Sequence, residues 1–374
     1  MKNFNSGTYI NQGYYRSFQP ETINRQMYID DMELLELLSK ADRELGRLDM
    51  YSNYIPNLDL FISMHVLKEA TKSSKIEGTQ TNIEEALLDK DDIPLDKRDD
   101  WEEVQNYIEA MNFAVNELEK LPFSNRLIRD THKVLLQGVR GEKKQPGEFR
   151  NSQNWIGGAT LKDAFFIPPV HTTVPELMSD LEKFLHNKEI HLPVLLKIAL
   201  AHYQFETIHP FLDGNGRVGR LLIPLYLVSE NILSKPILYL SDFFENNRSP
   251  YYDNLTLVRE KNSINQWFKF FLVGIIQTAE SGISTFDKIL QLQKETDQAI
   301  QQLKGRAGKA NKIINYLYRK PIINAEQVSK VIESSLPTSY KLINELESIG
   351  VLKEITGSMR GRMYVFEQYI KIFT

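Results

Sequence analysis

The chain has 374 residues, 42% hydrophobic and 25% charged, with a formal net charge of −4 and no cysteine. This length and balance allow two or three packed cores and exclude a disordered scaffold, while the missing thiols exclude disulfides, Cys-ligated zinc and redox chemistry through sulfur. A thiol-free chain also fits a reducing compartment, so a cytoplasmic location is expected.

Residues 1–20 are polar and rich in Tyr and Asn, with no apolar stretch of the kind an export leader needs. The longest apolar run, 270–276, is far too short to cross a bilayer, so neither export nor a membrane is expected. Apolar residues then recur at helical spacing, as in Leu34/Leu35/Leu38, Leu60/Met64/Leu67, Val104/Ile108/Met111 and Ile128/Thr131/Val134/Leu135, which predicts a mainly α body. Helix breakers fall at 88–100, which holds Pro94, at 141–158 and at 246–250. Ile156-Gly157-Gly158-Ala159 followed by Phe165-Phe166-Ile167 suits a β-hairpin with a loose tip. Residues 193–208 read as a helix with Pro193 at its first turn and Leu196, Ala199, Leu200, Tyr203 and Phe205 turned inward, so His209 stands at its far end. His202 reads as a satisfied core histidine. A second helix begins in the Gly214-Asn215-Gly216 turn and carries Leu221, Leu222, Leu225 and Leu227, with Pro224 expected to kink it. Tyr251 and Tyr252 follow a turn at Ser249-Pro250 and open a further helix.

A long amphipathic helix over 281–303 leads to a hinge at 305–308. Beyond it, Ile313/Ile314/Leu317, Val328/Ile332 and Leu342/Ile343/Leu346 predict three short helices, and 351–356 and 362–366 flank a turn as a hairpin, the layout of a winged helix-turn-helix. Its third helix, 337–348, is expected to present Thr338, Ser339, Lys341 and Asn344 outward, with Arg360 and Arg362 on the wing. Residues 305–374 carry 11 Lys and Arg against 6 Asp and Glu, a basic tail on an acidic body. Contact with DNA and docking to protein both stay open for this module.

The richest stretch is His209-Pro210-Phe211-Leu212-Asp213-Gly214-Asn215-Gly216-Arg217-Val218-Gly219-Arg220. Gly214 and Gly216 let the backbone turn its N–H groups inward on an anion just before a helix begins, where the helix dipole adds attraction. Arg217 and Arg220 stand three apart on the first turn, and their planar forks match phosphate oxygens. Asp213 offers the hard oxygen that Mg²⁺ prefers beside nucleotide phosphates. His209 has an intrinsic pKa close to working pH and suits a base that takes a proton from an attacking hydroxyl. The reaction class is in-line transfer from a Mg-nucleotide.

This stretch resembles the signature of Fic-domain proteins, His-x-Phe-x-(Asp/Glu)-Gly-Asn-Gly-Arg-x-x-Arg, with every specified position matched. The resemblance implies transfer of AMP from ATP to a Ser, Thr or Tyr hydroxyl of a protein, with pyrophosphate released. It makes His209 the base, Asp213 the Mg²⁺ ligand, Phe211 a packing anchor, and Gly214, Asn215, Gly216, Arg217 and Arg220, with Val218 and Gly219 between them, the nucleotide-binding run. Kinase-like relatives depart from Gly-Asn-Gly-Arg, which this chain keeps, so AMP transfer is favoured. Ser73-Ser74-Lys75-Ile76-Glu77-Gly78 resembles the family's inhibitory motif, (Ser/Thr)-x-x-x-Glu-(Gly/Asn), which implies a brake: Glu77, with Ser73, denies Arg220 to the γ-phosphate. The segment Ile156, Gly157, Gly158, Ala159 is similar to the family's flap, which lies over the nucleotide and pairs with a target peptide by strand addition. Tyr251 and Tyr252 resemble its adenine-side wall.

The expected architecture is therefore mainly α: an N-terminal helical region with the inhibitory helix over 1–99, a Fic catalytic core with a hairpin flap over 100–280, a connecting helix over 281–304 and a winged helix over 305–374. The expected partners are ATP, Mg²⁺ and a protein hydroxyl, with self-modification, DNA and a second copy of the chain also open. Two other readings share the site: removal of AMP from a modified protein, and an ATP-sensing DNA-binding or docking regulator.

Overall fold

A computed structural model describes residues 1–55, 58–139, 141–357 and 361–374. The chain opens with an antiparallel pair, β1 (Gly7–Asn11) and β2 (Arg16–Pro20). Helices follow: α1 (Met32–Asn53), α2 (Leu58–Ile76), the single turn α3 (Ile83–Ala86), α4 (Arg98–Leu118), α5 (Asn125–Leu135), α6 (Val174–His186), α7 (Val194–Ile208), α8 (Asn215–Ser229), α9 (Ser241–Asn246), α10 (Arg248–Lys261) and α11 (Ile264–Gln301). The C-terminal module contains α12 (Ala307–Leu317), β3 (Ile322–Asn324), α13 (Ala325–Val331), α14 (Leu336–Ser348), β4 (Lys353–Glu354), β5 (Met363–Val365) and α15 (Glu367–Ile370). Its strands form one sheet in the order β3-β5-β4, an arrangement consistent with the winged helix-turn-helix expected from the sequence.

The centre of the body is α7. Apolar residues surround it on all sides, and every residue from Leu195 to Ile208 is buried, as a helix enclosed by other helices requires. Trp267 on α11 locks it in place: its indole N–H donates to the Ala199 carbonyl at 2.8 Å inside the core. α8 runs beside α7, with Pro224 inside an unbroken helix. α2 is wedged between α4, α8 and α9, and its far end enters the C-terminal module. There Phe61, fully buried, meets Tyr318 and Tyr369 edge-on at 5.0 and 6.4 Å, and His65 meets Phe373 at 5.1 Å.

The structure departs from the sequence-based expectations in several places. The β1–β2 pair was not foreseen, because Tyr9 and Ile10 leave its outer strand exposed and blur the alternation. It is held from afar: the Ser6 N–H donates to Asn262 Oδ1 at 2.7 Å, the Phe18 N–H to the Ile167 carbonyl at 2.9 Å, and the Ile23 N–H to Asp180 Oδ2 at 2.6 Å. The expected flap hairpin is a loop closed by one antiparallel bridge, Ile156 to Phe166, rather than two strands. α11 is one helix of 38 residues that runs through the boundary expected at 280/281, since Gly274 and Gly282 serve close packing on Phe243 and Leu48 instead of breaking it. α10 starts at Arg248, so Ser249-Pro250 lies in its first turn and not in a turn before it. On α14, Ser339 is buried with its hydroxyl on the Ser335 carbonyl at 3.1 Å, while Lys341 and Asn344 are exposed as expected. Arg360 lies outside the described residues. Among them, no helix is long and apolar enough to cross a membrane.

The α2 junction yields a stability prediction. Phe61→Ala removes a fully enclosed ring from between two modules and is expected to destabilise the protein by about 3–5 kcal/mol. Urea unfolding followed by circular dichroism reads this directly; a loss below 1 kcal/mol would mean that the aromatic junction closes over the gap.

Candidate active site

The site is built around a sharp turn between α7 and α8. His209 caps α7 in the left-handed region (φ 50, ψ 61), a conformation costly for a residue with a side chain, so the surroundings must hold it. Arg150 does most of this. Its Nε donates to the His209 carbonyl at 2.9 Å, its Nη2 to the Pro169 carbonyl at 2.6 Å, and its backbone N–H to the Pro210 carbonyl at 2.8 Å. Asn154 Nδ2 donates to the Phe211 carbonyl at 2.9 Å. Phe211 is buried and stacks on His132, ring centroids 3.7 Å apart and 7° from parallel. The Gly147 N–H donates to His132 Nδ1 at 2.8 Å, which fixes the tautomer: Nε2 carries the proton and donates to the Asp213 carbonyl at 3.0 Å.

α8 then begins at Gly214, itself left-handed (φ 74), and the N–H groups of its first turn are the ones that the helix itself leaves without an intrahelical acceptor. Asp213 Oδ1 accepts from the Gly214 N–H at 2.6 Å, and the side chain is 37% exposed. Arg220 is engaged by α2 through three hydrogen bonds. Its Nε donates to Ser73 Oγ at 2.8 Å, and Nη2 donates to the Ser73 carbonyl at 2.9 Å and to Glu77 Oε1 at 2.7 Å. A Cβ at Gly216 would come within 2.2 Å of Glu77 Oε1, so the bare glycine is what lets this carboxylate settle on the first turn of α8. Burial alone would push the Glu77 carboxyl up; Arg220, with Arg217 and His209 behind it, overrides that and holds it below the usual range.

His209 itself is neutral. Burial, reinforced by the Arg150 charge, pushes its imidazole down to about 4, and its Nδ1 has no hydrogen-bond partner among the described residues. One turn earlier, burial raises the Glu206 carboxyl to about 7 against the pull of Arg220, with the Glu77 charge adding to the rise. Glu206 Oε1 lies where a Cβ on Gly219 would sit, 2.1 Å away.

The structure brings Ser73, Glu77, His209, Asp213, Gly214, Gly216 and Arg220 to one place, and it corrects several expected contacts. Arg217 is 2% exposed: its Nη1 forms a buried pair with Glu103 at 3.0 Å, while its Nη2 lies 3.6 Å from Asp213 Oδ1, so its fork bridges an interior carboxylate and one at the site. The Asn215 side chain is buried and clamps both the N–H and the carbonyl of Phe211, at 2.8 and 2.9 Å, which makes it a loop brace. Val218 is fully buried, and the Gly219 carbonyl accepts from His202 at 2.9 Å. Tyr251 is also core, its hydroxyl bonded to His202 Nε2 at 2.9 Å; His202 is thus the satisfied histidine expected. Tyr252 keeps 38% of its surface and is the aromatic of the pair left facing outward. At the flap, Ile156 pairs with Phe166, Gly157 and Gly158 both take left-handed angles, and the Ala159 N–H caps on Asp163 at 2.8 Å. Arg150, Asn154, His132, Glu103 and Glu206 were missed in the sequence. Arg150 and Asn154 lie in a long polar stretch, 142–154, that offers no contrast to mark them out.

Comparison with known proteins decides the family. The Fic/DOC family N-terminal region matches residues 35–116 and the Fic/DOC family domain matches residues 122–227, together half of the chain. The chain belongs to the Fic/DOC family. A protein of Aquifex aeolicus named probable protein adenylyltransferase is 28% identical over 177 residues, 47% of this chain and 52% of its own length. The protein adenylyltransferase Fic of Aedes aegypti is 36% identical over 134 residues, 36% of this chain and 24% of its own. The chain thus spans about half or less of the curated relatives it matches. Among solved structures, a Fic family protein from Desulfovibrio desulfuricans superposes with a TM-score of 0.58 at 19% identity over 91% of this chain and 98% of that one. A Fic-domain protein from Bacteroides thetaiotaomicron gives 0.52 at 19% identity, over 68% and 96%. Both show the shared Fic fold.

The buried imidazoles of this site set an acid limit. Burial holds His132 and His209 at about 4 and His202 at about 3, against an ordinary value of 6.5. Each is neutral in the fold but takes a proton once unfolded, so stability is complete above about pH 6.5 and is lost as pH falls from there toward 4. Glu206 acts in the opposite sense, because below about 7 the fold keeps a proton that the unfolded chain holds only near 4.5, but it is one group against three. The urea midpoint is expected to drop steadily from pH 7 to pH 5; a midpoint constant over that range would show that these imidazoles are hydrated.

Proposed function

We propose that this protein transfers AMP from ATP to a hydroxyl of a protein, and that Glu77 restrains it. The observation that carries this is the seat of the Glu77 carboxylate: against Gly216 at the N-terminus of α8, and bonded to Arg220 at 2.7 Å. An anion already occupies the place where a helix terminus and a guanidinium would receive a phosphate. The relatives named protein adenylyltransferase support the same chemistry.

In this proposal the backbone N–H groups of Gly216 and its neighbours hold the phosphates, and Arg220 takes the γ-phosphate once Glu77 has moved. The neutral imidazole of His209 takes the proton of the target hydroxyl; the hydroxyl oxygen bonds to the α-phosphorus, the bond from that phosphorus to the bridging oxygen breaks, and pyrophosphate leaves. A side chain held near 4 stays unprotonated across the neutral range, as a base must. Asp213 would hold Mg²⁺, which takes one or two carboxylates and completes its shell with phosphate oxygens and water; its exposed, partly engaged carboxylate fits that role. The metal would neutralise charge on the phosphates. Tyr252 would face the adenine, and the single bridge at Ile156 leaves the flap backbone open to pairing with a target segment.

The test is transfer of label from α-labelled ATP with Mg²⁺ to the protein itself or to a lysate, with γ-labelled ATP as control. His209→Ala is expected to cut transfer by on the order of 10²–10⁴-fold. Glu77→Gly is expected to raise it by about tenfold or more, the effect of removing a competitor worth about 1.4 kcal/mol. Absence of α-label from every variant would overturn AMP transfer, and label that appears equally with and without Glu77 would overturn the brake.

A further inference from the structure

The helix that ends at Glu77 has a second polar face. Two turns before Glu77, α2 forms one wall of a cleft of about 260 Å³, closed by α9, α11 and the ring of Phe373. Its fixed charges are already matched: Lys68 lies 3.0 Å from Asp242, and the buried Glu69 carboxylate accepts from Tyr107 Oη at 2.8 Å and from the Ser241 N–H at 3.1 Å. Two buried polar atoms of the wall are not matched. Among the described residues, the hydroxyl of Tyr239, a residue 7% exposed, has no hydrogen-bond partner, nor does Nε2 of His65, whose imidazole burial keeps neutral at about 4. Asn246, Gln277 and Ser281 add amide and hydroxyl groups at the rim, and Phe243 and Phe373 add apolar rings.

Such a lining has no free cation for a phosphate or carboxylate. It offers donors and acceptors beside an apolar face, the pattern that receives a ring bearing hydroxyls. We propose that this cleft is a second ligand site, for a neutral polyhydroxylated ring of hexose or ribonucleoside size, and that its occupancy holds α2 in the braked position. The second half follows from linkage and rests on the AMP-transfer proposal above. The cleft is complete in the state where Glu77 meets Arg220; an α2 that withdraws Glu77 also withdraws His65, Lys68 and Glu69 from the wall. A ligand that needs that wall therefore favours the braked state. Glu69, Ser73 and Glu77 succeed one another at four-residue steps, so the wall and the Arg220 contacts lie along one line of the helix.

Binding and coupling are tested separately on the full chain, with uridine and glucose as the two probes. Calorimetry and thermal shift are expected to detect one of them, with affinity reduced about tenfold or more in Tyr239→Phe and abolished in Ser281→Trp, which fills the mouth. Without ligand, Tyr239→Phe should lose no stability, because the removed hydroxyl has no protein partner. Neither probe binding, or binding that survives both substitutions, overturns the site. For coupling, the bound probe at ten times its Kd should lower α-label transfer by the wild type by up to about tenfold and leave Glu77→Gly unchanged. Equal inhibition of both overturns the coupling. Failure of transfer in every variant would count against the enzymatic proposal, while the binding measurements would still decide the site.

Discussion

A guanidinium cannot shed its proton, so burying one obliges the rest of the protein to supply acceptors from every side. Arg220 imposes that obligation here. Ser73 gives it a hydroxyl and a carbonyl, Glu77 a carboxylate, and Glu206 a further acidic group within electrostatic reach. Glycines at 216 and 219 leave room for the two carboxylates to reach it. The position of α2, the shape of the first turn of α8 and the ionisation of two glutamates all follow from keeping one cation satisfied in a dry place. One seat for one anion is the ground on which the same arrangement is proposed both as a restraint and as a phosphate site.

A second constraint crosses the first at His209. A left-handed histidine directly before a left-handed Gly214 loop stores backbone strain, and the clips that hold it come from outside the turn: Arg150, Asn154 and His132. These residues set where the imidazole stands and keep its neighbourhood dry enough to hold it neutral. Arg150 thus has two effects that agree, bonding the turn geometrically and opposing protonation of His209 electrostatically. The segment that carries Arg150 also leads into the 156–166 loop, so His209 and that loop share an anchor.

The sequence made the core of the site legible because residues 209–220 are contiguous and their types have few other uses together. Helical spacing likewise exposed α2, α4, α5 and α7, whose apolar faces repeat cleanly. What stayed hidden was relational. Arg217 and Arg220 look alike on one helix, and only the partner supplied by α4, Glu103, turns the first into an internal tie. Tyr251 and Tyr252 are adjacent identical side chains, and the 100° step of the helix sends one into the core against His202 and leaves the other outside. Asn215 was assigned to phosphates, but its side chain is short and turned back on Phe211. The β1–β2 pair carried no clear periodic signal because Tyr9 and Ile10 leave its outer strand exposed, and the partners that hold it lie far along the chain.

That last feature bears on how the molecule comes into being. Residues 6–23 are synthesised early, yet Ser6 closes on Asn262, Phe18 on Ile167 and Ile23 on Asp180. Local contacts can form as the chain emerges, whereas this strap must wait for segments made much later, and its closure carries the entropic cost of very long loops. Phe18 bonds to the residue that follows the flap bridge, so that tie has both its partners before residues 209–220 are made, whereas the tie of Ser6 to Asn262 has to wait until after them. The order of synthesis therefore lets the strap close in steps, its flap side first and its Ser6 end last.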